Sequence, residues 1–120
     1  MSDLRKAQML LRLARENGKG GQVSGLGLEI LLSVAQRPQR LEELEHSCAA
    51  SNAAISRATR QMAVRWDRKA GAVIKPDLPL LIRRPIPRQK GQVGGLSHRY
   101  HLTNTAREFL AAAGFSTPVN

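Results

Sequence analysis

Between residues 52 and 66 the chain reads NAAISRATRQMAVRW, in which the apolar Ile55, Ala58, Met62 and Trp66 recur every three to four residues. That is the period of a helix with one buried side. The other side then carries Asn52, Ala53, Ser56, Arg57 and Arg60, with Gln61 at its margin. These types suit the major groove of a duplex: Arg pairs bidentately with guanine, Asn or Gln with adenine, and a small residue approaches a thymine methyl. Ser51 stands where a hydroxyl caps the first turn and where a helix N-terminus attracts phosphate. Downstream come Arg83, Arg84, Arg88, Lys90 and Arg99, on or beside a segment whose Gly91, Gly94 and Gly95 let backbone approach DNA closely. Arg88 and Lys90 are expected at its tip, against the minor groove or the phosphates. Arg65, Arg68 and Lys69 extend the basic surface as further phosphate contacts. The competing reading of Arg83 or Arg84 is a surface ion pair with Glu42, Glu43 or Glu45.

The elements that must hold these residues are legible in outline. DLRKAQMLLRLARE (3–16) has Leu4, Ala7, Leu11 and Ala14 at helical spacing, and the glycine-rich stretch after it is expected to be a flexible loop without the Lys-Ser/Thr ending of a nucleotide-binding loop. LGLEILLSVAQR (26–37) is nearly continuous in apolar residues and stops at Pro38, as a central helix would. RLEELEHSC (40–48) is a short helix, and Ala49 to Ser51 leave room only for a tight turn before the helix of residues 52–66. Gly71, Pro76 and Pro79 mark a connection. LLIRRPIP (80–87) and SHRYHLT (97–103) then read as two strands of a hairpin, with Pro85 and Pro87 requiring the first to lie at an edge or to end early. A last helix spans 104–113 and is closed by Gly114. The expected fold is mainly α with a small β-hairpin wing.

The chain has 120 residues, 19 Lys plus Arg and 9 Asp plus Glu, for a formal charge of +10. Residues 52–101 hold 11 basic and 2 acidic side chains, so +9 of the excess lies in that internal stretch. One basic face of a folded domain explains this better than a basic tail, and it points to a polyanion partner. A metal site is not expected, because His98 and His101 fall on opposite faces of a strand and His46 and Cys48 diverge on a helix. Cys48 and the four aromatic residues Trp66, Tyr100, Phe109 and Phe115 read as core, leaving no stacking platform for single strands. With only Asp67 and Asp77 acidic in the basic stretch, and no Ser-His or Cys-His constellation, no enzyme and no cofactor are expected. A single cysteine, no apolar run of membrane length and an opening MSDLRKAQ without an apolar core point to the cytoplasm, with no membrane partner.

Three stretches in this order, EILLSVAQRPQRLEELEHSCAASNAAISRATRQM, LLIRRPIP and YHLTNTAREFL, resemble the MarR family of bacterial transcription regulators over residues 26–113. The resemblance implies a winged helix-turn-helix, with residues 1–25 as a helix and loop making dimer contacts and 114–120 as a frayed tail. Ala49 stands where the turn of such motifs often has Gly, and residues 64–79 are longer than the usual passage to the wing. The implied activity is sequence-specific binding of double-stranded DNA by a nucleoid-associated repressor, by a mechanism that needs no small-molecule effector but leaves room for one. A homodimer on an inverted repeat is expected, with Leu4, Leu11, Phe109 and Leu110 as its surface. The alternatives are an accessory DNA-binding protein of a plasmid or phage, in replication, transfer, partition or recombination, and a winged-helix module that binds protein.

Overall fold

Hydroxyl side chains set the start of four helices. In the computed structural model, which describes residues 2–17, 23–87, 91 and 97–117, Ser2 Oγ accepts from the Arg5 amide at 3.2 Å and opens α1 (Asp3–Asn17). Ser24 Oγ accepts from Gly27 N at 3.0 Å and opens α2 (Gly25–Gln36). Ser51 does the same for α4 (Asn52–Met62) through Ala54 N, and Thr103 for α5 (Asn104–Ala112) through Ala106 N. Each satisfies one amide that has no partner inside its helix. The short α3 (Leu41–Ser47) starts differently, with the Glu43 carboxylate accepting from the Arg40 amide at 3.0 Å.

The main departure from expectation begins after Met62. The helix read to run on to Trp66 stops there, and residues Ala63–Asp67 form a strand, β1, that follows α4 with no intervening loop. β1 pairs antiparallel with β2 (Ala72–Ile74) through a turn in which Gly71, at φ 62°, donates its amide to Asp67 O at 2.8 Å. Positive φ suits glycine. β1 also pairs in parallel with β3 (Leu81–Pro85), which pairs antiparallel with β4 (His98–Leu102). The result is a mixed α/β domain of five helices and a four-stranded sheet, order β2-β1-β3-β4, among the described residues, rather than a mainly helical chain with one hairpin. β3 lies between β1 and β4 rather than at an edge, but its pairing with β1 ends early, at Ile82, so Pro85 lies where that side of β3 has no ladder to complete.

The inner face of the sheet and the helices share one core. Ala63, Leu81, Tyr100 and Leu102 face Ile30, Leu31 and Val34 of α2, Leu44 of α3, Ile55 and Met62 of α4 and Leu110 of α5. A side chain on Gly27 would come within 3.3 Å of Met62 Sδ, so glycine is what lets α2 and α4 approach closely there. Gln39 is buried and ties three elements together. It exchanges backbone bonds with Tyr100 of β4, at 3.2 and 2.8 Å, while its Oε1 accepts from Ser33 of α2 and from Ser47 of α3.

Two termini also differ from the sequence reading. α1 turns Leu10 and Ala14 into the core, with Met9 and Leu13 beside them, and leaves Leu4 (85% exposed), Ala7 and Leu11 (60%) outside. Phe109 and Leu110, expected on a dimer surface, are 7% and 0% exposed and belong to this chain's own core. Phe115 is not frayed but packs on the core, with Lys6 Nζ 5.9 Å from its ring centre. No helix among the described residues is long and apolar enough to cross a membrane.

Candidate nucleic-acid interface

α4 exposes the side chains that its periodicity assigned to solvent. Ile55, Ala58, Thr59 and Met62 are buried, while Asn52, Ala53, Arg57, Arg60 and Gln61 are exposed and Ser56 is half-buried. Ser51 is exposed at the cap. Ser56 Oγ donates to Asn52 Oδ1 at 3.4 Å, which fixes the amide at the start of this face. Thr59, which sequence reasoning passed over, locks the helix to the sheet: its hydroxyl donates to Ile55 O at 2.9 Å and accepts from the Tyr100 hydroxyl at 3.4 Å. The signal for it was faint, a single polar residue on the apolar side of α4.

The turn ahead of α4 carries its own constraint. Ala49 takes φ 49°, a left-handed conformation that costs an L-residue roughly 1–2 kcal/mol. With Ala50 N bonded to Glu45 O at 3.1 Å, that backbone reversal turns the chain from α3 into α4. Cys48, expected in the core, is half-buried against it, and burial with help from Glu29 pushes its thiol pKa up.

Strand geometry decides where the remaining cations go. Side chains alternate across a strand, so Arg65 on β1 and Arg83 on β3 share the inner face with Ala63, Leu81 and Tyr100. There they meet α4. A cleft of about 210 Å³ is lined by Leu41, Ser56, Thr59, Arg60, Arg65 and Arg83, with Tyr100 at its floor and no carboxylate in its wall. Arg65 Nε is buried and has no hydrogen-bond partner. Arg83 Nη2 lies 3.3 Å from His98 Nδ1, and burial together with Arg83 and Arg68 holds the His98 pKa below its usual value. The neighbouring imidazole therefore adds no charge near neutral pH and leaves the guanidinium groups as the cations of the site.

Arg84 and Arg99 sit opposite each other on β3 and β4 and lie on the outer face, away from α4. The structure thus divides the arginines that the sequence grouped in one wing. Arg68 and Lys69 occupy the exposed turn between β1 and β2, where Asp67 Oδ1 accepts from the Lys69 amide at 2.9 Å. Because β1 and β3 run parallel, this turn leaves the sheet at the same end as the β3–β4 connection. Arg88 and Lys90 of that connection lie outside the described residues.

Ion pairing separates the basic region from the rest. Among the described residues the ion pairs are those of Glu43 with Arg37, at 2.7 Å, and with Arg40, at 3.5 Å; none involves Arg83, Arg84 or any other cation of residues 52–101. The backbone amide of Arg40, then the Arg37 side chain, lower the Glu43 pKa to about 2. His98 and His101 fall on opposite faces of β4, as expected. No group of three His, Cys, Asp or Glu among the described residues could hold a metal ion.

The site is therefore a carboxylate-free arginine cleft at the junction of an exposed polar helix and a sheet, in a mixed α/β domain. No family model matches the chain, and neither a curated protein nor a solved structure matches it. What the cleft accepts has to be argued from its own residues.

Proposed function

We propose that this chain is a sequence-specific double-stranded DNA-binding regulator built on a winged helix-turn-helix similar to that of the MarR family, and that it acts as a repressor by occupying its site. α4 enters the major groove, where Asn52, Arg57, Arg60 and Gln61 reach base edges and Ala53 meets a thymine methyl. Arg65 and Arg83 grip the backbone phosphates beside the groove, with Ser51 and the start of α4 on a neighbouring phosphate. Arg68 and Lys69 follow the same strand outward. The observation that carries this reading is the convergence of Arg60, Arg65 and Arg83 on one cleft beside α4 with no carboxylate to neutralise them. None of these three guanidinium groups makes an ion pair among the described residues, and a phosphate accepts their forked donors directly.

Two copies on an inverted repeat would double the few base pairs that one α4 can read. Leu4 and Leu11, exposed on α1, are the apolar surface that supports such pairing.

The test is selection of bound sequences from random duplex DNA, followed by a salt titration of the selected site. Symmetric half-sites should emerge. Affinity should fall with salt at about 0.9 log units per log unit for each phosphate held, so six contacts would weaken binding by roughly a thousandfold between 50 and 200 mM. Absence of duplex affinity at low salt would end the proposal. Arg57→Ala should relax sequence preference while Arg65→Ala weakens all sequences alike; equal behaviour of the two would refute the division between reading and gripping.

A further inference from the structure

The outer face of the sheet departs furthest from what its residues predict. Trp66, read as core, is 60% exposed, and Val73, its partner on β2, is 62% exposed. By alternation Val64 and Trp66 of β1, Ile82 and Arg84 of β3, and Arg99 and His101 of β4 share this face. Arg84 and Arg99 are direct cross-strand partners. Like charges in that position destabilise an antiparallel pair, and no ion pair among the described residues relieves them. Arg107 of α5 adds a third guanidinium to a cleft with Ile82, Arg84 and His101. Its Nη1 donates to Leu102 O at 3.4 Å and Asn104 Oδ1 at 3.5 Å, while its buried Nε has no partner.

We propose that this outer face binds single-stranded nucleic acid, with a base stacked on the Trp66 indole and the adjoining phosphates held by Arg84, Arg99 and Arg107. An exposed aromatic on the same sheet face as several cations is what an unpaired strand uses, since each nucleotide offers one π-face and one phosphate. A duplex keeps its bases stacked inside and would leave the indole unused. A second copy meeting this face about a two-fold axis would set Arg84 and Arg99 against their own kind. The site is separate from the α4 cleft, so one molecule can hold a duplex on one side of its sheet and a displaced strand on the other.

The protein has one tryptophan, so its emission reports on this face alone. The full chain is titrated at low salt with a 12-nucleotide oligo(dT), the same length of oligo(U), a closed hairpin duplex and poly-glutamate. Saturable quenching by either single strand, weaker by about tenfold or more for the hairpin and absent with poly-glutamate, is expected. Binding of a labelled oligo(dT) should weaken roughly tenfold in Trp66→Leu and in the Arg84→Ala/Arg99→Ala double variant, and should survive in Arg57→Ala. Thermal unfolding of each variant checks that it folds, and Trp66→Phe should keep most of the affinity. Unchanged emission overturns the proposal, as does equal quenching by hairpin or poly-glutamate, or single-strand binding that depends on Arg57 and not on Arg84 and Arg99. Duplex affinity measured on the same variants stands or falls independently.

Discussion

Arg83 and Arg84 are neighbours in the chain and belong to different surfaces. Arg83 points inward with Tyr100 and joins the cleft beneath α4; Arg84 points outward with Trp66 and faces Arg99. On the inner side the cations stand at the end of a packed core, with Leu81 and Tyr100 buried next to them. On the outer side they share an open face with half-exposed Ile82 and exposed Trp66. The comparison shows that a run of basic residues in a strand is two half-runs, each answering to whatever covers its own face.

The sharpest way to break this contrast is through packing. Leu81→Ala removes a fully buried side chain from the inner face and should cost about 2–5 kcal/mol, seen as a large drop in Tm, whereas Ile82→Ala on the outer face should cost less than half as much. Equal losses would mean that the outer face is covered. Next in size, Arg83→Ala should weaken duplex binding about tenfold, equivalent to about 1.4 kcal/mol, while Arg84→Ala leaves duplex affinity within about twofold, both measured by fluorescence anisotropy. If Arg84→Ala costs as much as Arg83→Ala, the two faces are not functionally distinct.

A smaller effect sharpens the inner side alone. Ala49→Gly relieves the left-handed turn before α4 and should raise stability by up to about 1 kcal/mol in denaturant titration, since the added freedom of glycine in the unfolded chain offsets part of the gain. Smallest is the titration of Glu43, the one carboxylate paired with cations among the described residues. Its pKa is lowered from 4.5 to about 2, so its contribution is present above pH 4.5 and disappears as pH falls towards 2. Glu43→Gln should flatten stability over that window and leave it unaltered in slope above pH 5.

Much of the helical half of this molecule was legible because its signals are local. Ser51 caps the helix it precedes, Ile55, Ala58 and Met62 fall on one side of α4, and the tight turn between α3 and α4 follows from Ala49 to Ser51. β1 was not legible for a definite reason. In AVRWD, Trp66 follows Met62 at a helical interval, yet the same residues alternate inward at Ala63 and Arg65 and outward at Val64 and Trp66. The choice between the two periods is made by pairing with residues 72–74 and 81–82, which no local pattern reports. The same missing partner hid the exposure of Trp66. In α1, two apolar lines compete, Leu10 with Ala14 and Leu4 with Leu11, and only packing on α5 shows that the first is the buried one. The cations of the candidate site were found by charge and position, but their sorting into two faces needed the strand register.

α4 passes into β1 between Met62 and Ala63 without a loop residue, and the Ala63 amide still donates to Thr59 O as the strand begins. The helix and the sheet are therefore joined with no loop between them. If α4 enters a groove as proposed, its direction there would follow from that of β1, which is paired on both sides. On the proposed reading, a duplex of another groove width would have to deform to fit the protein, so the stiffness of DNA at positions no side chain touches would become part of what is recognised.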